Sequence, residues 1–168
     1  MEDLLPKAGL LLTIFFCISP LPTLFTAMTS DKNAIKSMSL PGVLMGMSCA
    51  VAVGSFCSMK GMTDCLTSCY INMASCMLAL LVICYLNRDL FTLAISVSLY
   101  CSLSLAILTV FSASVTDLII LVLNTLACVT FPLDTLNKVL KSKDAGLINA
   151  PMHVFGTLNS FIWFLYTF

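Results

Sequence analysis

Charge is what this chain has least of. Its 168 residues include eight basic side chains, eight acidic ones and a single His, against a hydrophobic share of 60%. So small a polar complement cannot cover the surface of a water-soluble domain, and the chain belongs in lipid. One His and no two acids within one apolar run exclude the Ser–His and paired-Asp machinery of an intramembrane protease, so no enzyme is expected. His153, two residues after Pro151, reads as a helix-end residue near an interface. Neither a glycine-rich phosphate loop nor a metal-ligand spacing is present, which argues against ATP-driven pumping, and no cofactor is expected. The nine cysteines form no CxxC pair and have no His near them, so they read as small hydrophobes. Cys65 and Cys69, near an outer helix end, leave a disulfide with an unknown partner as the alternative.

The few charges bound apolar runs at Ala8–Ser30, Ser37–Met59, Cys65–Asn87, Leu90–Thr116, Leu118–Leu133 and Ala145–Phe168. A hydrocarbon core about 30 Å thick takes roughly 20 residues of helix, so five runs suffice alone. The fifth continues through Asp134 to about Val139. Six spans are therefore predicted in an all-α, polytopic membrane protein. The leading segment Met1–Lys7 is acidic and lacks a small-residue cleavage site, so the first run reads as a retained helix. Lys32, Lys36, Arg88, Lys138, Lys141 and Lys143 fall in loops on one side, and only Lys7 and Lys60 on the other. Because positive loops stay cytoplasmic, the N-terminus is predicted outside.

Prolines divide the chain into two similar halves. Pro20 and Pro41 lie 21 residues apart, and Pro132 and Pro151 lie 19 apart. Proline removes a backbone donor and kinks a membrane helix, which suits parts that move around a cavity. Aligned on these prolines, KVLKSKDAGLINAP (Lys138–Pro151) parallels TAMTSDKNAIKSMSLP (Thr26–Pro41).

With ISPLPTLF (Ile18–Phe25), DKNAIKSMSLPGVLMGMSCAVAVGSF (Asp31–Phe56), DCLTSCYINMAS (Asp64–Ser75) and TFPLDTLNKVLKSKDAGLINAPMHVFGTLNSFIWFLY (Thr130–Tyr166), the chain resembles the SWEET family of sugar uniporters. The resemblance covers most of the chain, and Leu90–Thr116 matches only as a linker helix. It implies two parallel three-helix-bundle repeats, residues 8–87 and 117–168, the second incomplete, joined by a linker over 88–116, with a sugar path between them. Pro20, Pro41, Pro132 and Pro151 match the family's proline tetrad and would act as hinges at the cytoplasmic gate.

The resemblance also implies a substrate site. Asn72 matches the polar pocket residue of the first bundle, and an amide exchanges hydrogen bonds with sugar hydroxyls without burying a charge. Trp163 matches the pocket aromatic of the second bundle, where an indole stacks on a pyranose. Its counterpart in the first bundle is Ala52, a departure from the usual Trp or Ser. Ser48 and Asn159 take neighbouring polar positions. Ser55 and Tyr166 match the outer gate, the first being usually Tyr. Asp134 stands where a small hydroxyl residue is common.

A seventh helix carrying the partner of Asn72 is implied by the family and lacking here. An incomplete sequence, a second subunit or a chain that has lost transport would each account for that. The leading expectation is facilitative uniport of mono- or disaccharides, glucose or sucrose first. It involves the lipid bilayer and a homo- or hetero-oligomer, at the plasma membrane or else an internal one, with no nucleic-acid partner. Two alternatives stand beside it. One is a proton-coupled PQ-loop-type carrier of amino acids or other small solutes, with Asp134 titrating, although Leu rather than Gln follows Pro20 and Pro132. The other is a non-transporting accessory subunit.

Overall fold

A computed structural model describes residues 4–89, residues 92, 93, 95–97, 99, 115 and 122, and residues 132–167. The described residues are helical and turn-forming, with no strand among them. Most of the predicted linker over 88–116 and the start of the fifth predicted run lie outside the described residues. The helices are α1 (Leu4–Ile18), α2 (Leu21–Thr29), α3 (Leu40–Lys60), α4 (Thr63–Asn87), α5 (residues 132–142) and α6 (Ala150–Thr167). Among the described residues, three stretches are long and apolar enough to cross a membrane: Leu4–Thr29, which runs through α1 and α2, Leu40–Lys60 and Thr63–Asn87. They correspond to the first three predicted runs.

Lipid-facing character shows on their surfaces. Phe25 and Tyr85 are 69% and 72% exposed, and Leu78, Leu81 and Tyr85 line one outer face of α4. The opposite face, with Ala79, Leu80, Val82 and Ile83, is buried against Met47, Val51 and Ala52 of α3 and Leu24 of α2. Water would penalise the exposed stripe, whereas hydrocarbon does not.

Small residues let α3 and α4 approach. Gly42, Gly46, Ala50 and Gly54 recur every four residues, which puts them on one face of α3. A side chain begun at Gly46 would meet Cys76 Sγ at 3.3 Å, and one begun at Gly54 would meet Cys69 Cβ at 3.3 Å. This is the small-residue packing that membrane helices use in place of a hydrophobic driving force. Gly61 closes the hairpin at φ 69°, with the Met62 N–H donating to the Cys57 carbonyl across 2.9 Å. Helix α4 in turn packs on α1, and α1 on α6.

The connections between α2 and α3 and between α5 and α6 are built alike. Asp31 accepts from Asn33 N at 2.9 Å and opens a 3-10 turn, Lys32–Ser37, and Asp144 accepts from Gly146 N at 2.8 Å and opens another, Ala145–Leu147. Two residues before the proline, Ser39 and Asn149 then accept from Gly42 N and Met152 N and cap α3 and α6. Proline in the first turn costs nothing, since its missing N–H would have no partner in the helix. At the far end of α4, Thr92 donates to both carboxylate oxygens of Asp89 and holds that carboxyl below the usual carboxylate range.

Replacing Gly54 by Leu is expected to wedge α3 from α4 at Cys69 and to destabilise the purified chain by about 1–3 kcal/mol. A thermal melt in detergent measures it, and Ser58→Ala, on the exposed end of α3, is the control.

Candidate functional site

The first helix carries the polar layer. Thr13 and Cys17, both buried and one turn apart, lie on one face of α1. Asn72 of α4 accepts hydrogen bonds at its carbonyl oxygen from the Cys17 and Cys76 thiols, at 3.9 and 3.6 Å. Asn159 of α6 accepts from the Thr13 hydroxyl at 3.0 Å, a donor shared with the Gly9 carbonyl at 2.9 Å. The two amides are therefore held against successive turns of one helix, and among the described residues neither commits its NH2 group. Aromatic packing braces the α1–α6 side. Phe15 stacks on Phe155 with centroids 5.4 Å apart, and Gly156 leaves room for the Phe16 ring, 3.1 Å from where a Cβ would sit.

One turn on, Pro20 breaks the helix. Its ring has no N–H for the Phe16 carbonyl, and the Ser19 hydroxyl donates there instead at 2.7 Å. The Cys17 carbonyl receives Ser75 Oγ of α4 at 3.1 Å, and the Ser19 carbonyl receives Asn149 Nδ2 at 3.4 Å. Asn149 thus caps α6 with its oxygen and reaches the α1 kink with its nitrogen, which brings the sequence neighbourhoods of Pro20 and Pro151 together.

A second pairing joins the sequence neighbourhoods of the other two prolines. A cavity of about 610 Å³ is lined by Pro41, Ile83, Asn87, Asp134, Lys138 and Lys141, among others. Asp134, two residues after the exposed Pro132, pairs with Lys138 across 3.0 Å. Lys138 donates further to the Met38 carbonyl at 2.7 Å and so ties α5 to the start of α3. The carboxylate's charge is met within its own helix.

The remaining predicted residues are placed as follows. Ser48 and Ser55 are half-buried and turn their hydroxyls back to the Leu44 and Val51 carbonyls at 3.1 and 2.8 Å. Ala52 is wholly buried in the cluster with Met47, Val51 and Leu80. Trp163 and Tyr166 are on α6, and their side chains lie outside the described ones. Sequence reading passed over Thr13, Cys17, Ser19, Ser75 and Asn149. Signals existed for two of them: a lone hydroxyl in the apolar stretch around Thr13, and an Asn two residues before Pro151, the position of a helix cap.

Thr13→Val and Asn159→Leu are expected to be coupled in a double-mutant cycle by about 0.6 kcal/mol, as is usual for hydrogen bonds between membrane helices. Thermal stability of the two single variants and the double variant in detergent measures that coupling, and additive effects would show the contact to be idle.

Comparison with curated proteins gives no match, and neither does comparison with solved structures. Residues 119–168 match the family model described as sugar efflux transporter for intercellular exchange. The matched span contains α5, the Asp144 turn and α6, with Asp134, Asn149, Pro151 and Asn159 among its residues. The family is one of transporters, which are not enzymes. Over these 50 residues, under a third of its length, the chain is similar to the SWEET family of sugar transporters.

Proposed function

We propose that the chain carries mono- or disaccharides across a membrane by facilitated, alternating-access uniport, with Asn72 and Asn159 as the polar contacts to the sugar. What carries this reading is the placement of two amides against adjacent turns of α1, in a chain whose residues 119–168 match a sugar efflux family. Sugar hydroxyls both donate and accept. An amide whose oxygen is held by a thiol or hydroxyl still offers two N–H donors, so the pocket engages sugar without a buried charge. The thiol bonds to Asn72 are long and weak, and a hydroxyl displaces them at little cost. Trp163 supplies the flat apolar face for the pyranose ring.

Movement follows from the prolines. The Ser19–Asn149 bond joins the α1 kink to the start of α6, and Lys138 joins α5 to the start of α3. Both are single hydrogen bonds between helices, each worth about 1 kcal/mol, so making and breaking them lies within what sugar binding supplies. In this reading, Pro20, Pro41, Pro132 and Pro151 are the hinges, and Ser55 and Tyr166 stand at the outer gate. The chain crosses the membrane six times with its N-terminus outside, in two parallel bundles over 8–87 and 117–168. The plasma membrane is its site. The ion pair of Asp134 with Lys138 supports uniport over proton coupling, because the pair keeps the carboxylate charged.

Uptake of labelled glucose and sucrose by the chain, in cells without sugar carriers of their own, tests the proposal. Saturable flux that follows the gradient in either direction is expected, with Asn72→Ala and Asn159→Ala each lowering it by about tenfold, the loss of one good hydrogen bond. A chain that reaches the membrane and moves neither sugar overturns the reading, as does full flux in both variants.

A further inference from the structure

The turn between α3 and α4 gathers sulfur. Cys57 comes from the last turn of α3, and Cys65 and Cys69 come from successive turns of α4, four residues apart on one face. Their Sγ atoms all lie within 4.8 Å of one another, and Cys57 donates to Cys65 across 2.7 Å. In a trigonal centre with bonds of about 2.3 Å the sulfurs stand about 4.0 Å apart, so the three are close enough to share one ion once Cys57 and Cys65, at 2.7 Å, open by about 1.3 Å. The glycine at position 54 sets this convergence by letting the Cys69 side chain approach α3. The Met62 amide, bonded to the Cys57 carbonyl, pins the turn beneath it.

We propose that Cys57, Cys65 and Cys69 form a binding site for one soft metal ion of the Cu(I) class. Among the described residues this is the one group of His, Cys, Asp and Glu side chains close enough to hold an ion, and it is composed of thiols alone. Thiolate selects soft cations. A donor set of three, with no fourth His or carboxylate, suits a trigonal Cu(I) centre, whereas structural zinc sites take four ligands. Cys57 and Cys69 are buried and Cys65 is partly open, so the site is enclosed on α3's side and reached past Cys65. Binding replaces the thiol protons with the ion and releases them to solvent. The site staples α3 to α4 at the end of the hairpin opposite the lysine-lined cavity.

The test uses the full chain, reduced and purified in detergent under argon, and titrated with Cu(I) delivered as its bicinchoninate complex. One Cu(I) per chain should be withdrawn from the chelator, with three sulfur neighbours by X-ray absorption. Cys57→Ser, Cys65→Ser and Cys69→Ser should each weaken uptake by about tenfold or more, since losing a ligand exceeds losing its support. Cys84→Ser, buried elsewhere in the core, should leave it unchanged. Helix content by circular dichroism accompanies each variant. In the unaltered chain, Cu(I) should shield these three cysteines, and not Cys84, from maleimide, which reads the site without any substitution. No withdrawal from the chelator, uptake equal in the cluster variants, shielding spread over all cysteines, or tighter binding of Zn²⁺ than of Cu(I) would each overturn the proposal. So would a Cys57–Cys65 disulfide in the chain as isolated that, once reduced, takes up no Cu(I).

Discussion

The backbone carbonyls released at Pro20 constrain everything near them. In water they would be solvated at no cost, but within a bilayer each one left bare costs several kcal/mol. The chain meets the demand three ways. Ser19 bends back to Phe16, Ser75 comes across from α4 to Cys17, and Asn149 comes from the head of α6 to Ser19. The helix break at Pro20 thus draws donors from three places in the sequence and ties α4 and the head of α6 to α1. The polar layer one turn away, with Thr13 on Asn159 and Cys17 on Asn72, inherits its geometry from that arrangement.

Packing elsewhere is of a different kind. Between α3 and α4 the glycines at 46 and 54 bring the helices together until sulfur and carbon touch. Contact of that closeness is what holds helices in a solvent as apolar as their own side chains. The same approach brings Cys57 beside Cys65 and Cys69, so the thiol cluster is a consequence of the hairpin's tightness as much as of its cysteines. The α1–α6 side combines both devices, a stacked Phe15–Phe155 pair over Gly156 and a hydrogen bond at Thr13.

The two capped connections show how one local solution serves twice. Asp31 and Asp144 each satisfy an amide of a 3-10 turn, and Ser39 and Asn149 each cap the helix that follows. Asn149 also reaches Ser19, so that cap doubles as a tie to the other half of the chain. A structure that links its halves through a cap residue couples their helix ends directly, which is where a carrier must move.

The sequence by itself determined the solvent, the helical class and the helix ends. Sparse charge, runs of about 20 apolar residues and proline after a capping residue are local signals, and Leu4–Thr29, Leu40–Lys60 and Thr63–Asn87 answer to them. It also carried the parallel between Thr26–Pro41 and Lys138–Pro151, which the caps repeat in detail. Asn72 was legible as a polar residue inside an apolar run, whereas Asn159 stood out only through the family resemblance. Tertiary structure alone decided which helix each amide meets, that Lys138 reaches the Met38 carbonyl, and that three cysteines without a CxxC spacing converge. The physical reason lies in range. Propensity, capping and hydropathy act within a few residues, whereas hydrogen bonds such as Thr13 to Asn159 and Lys138 to Met38 span 146 and 100 residues, and only packing the helices brings their ends together.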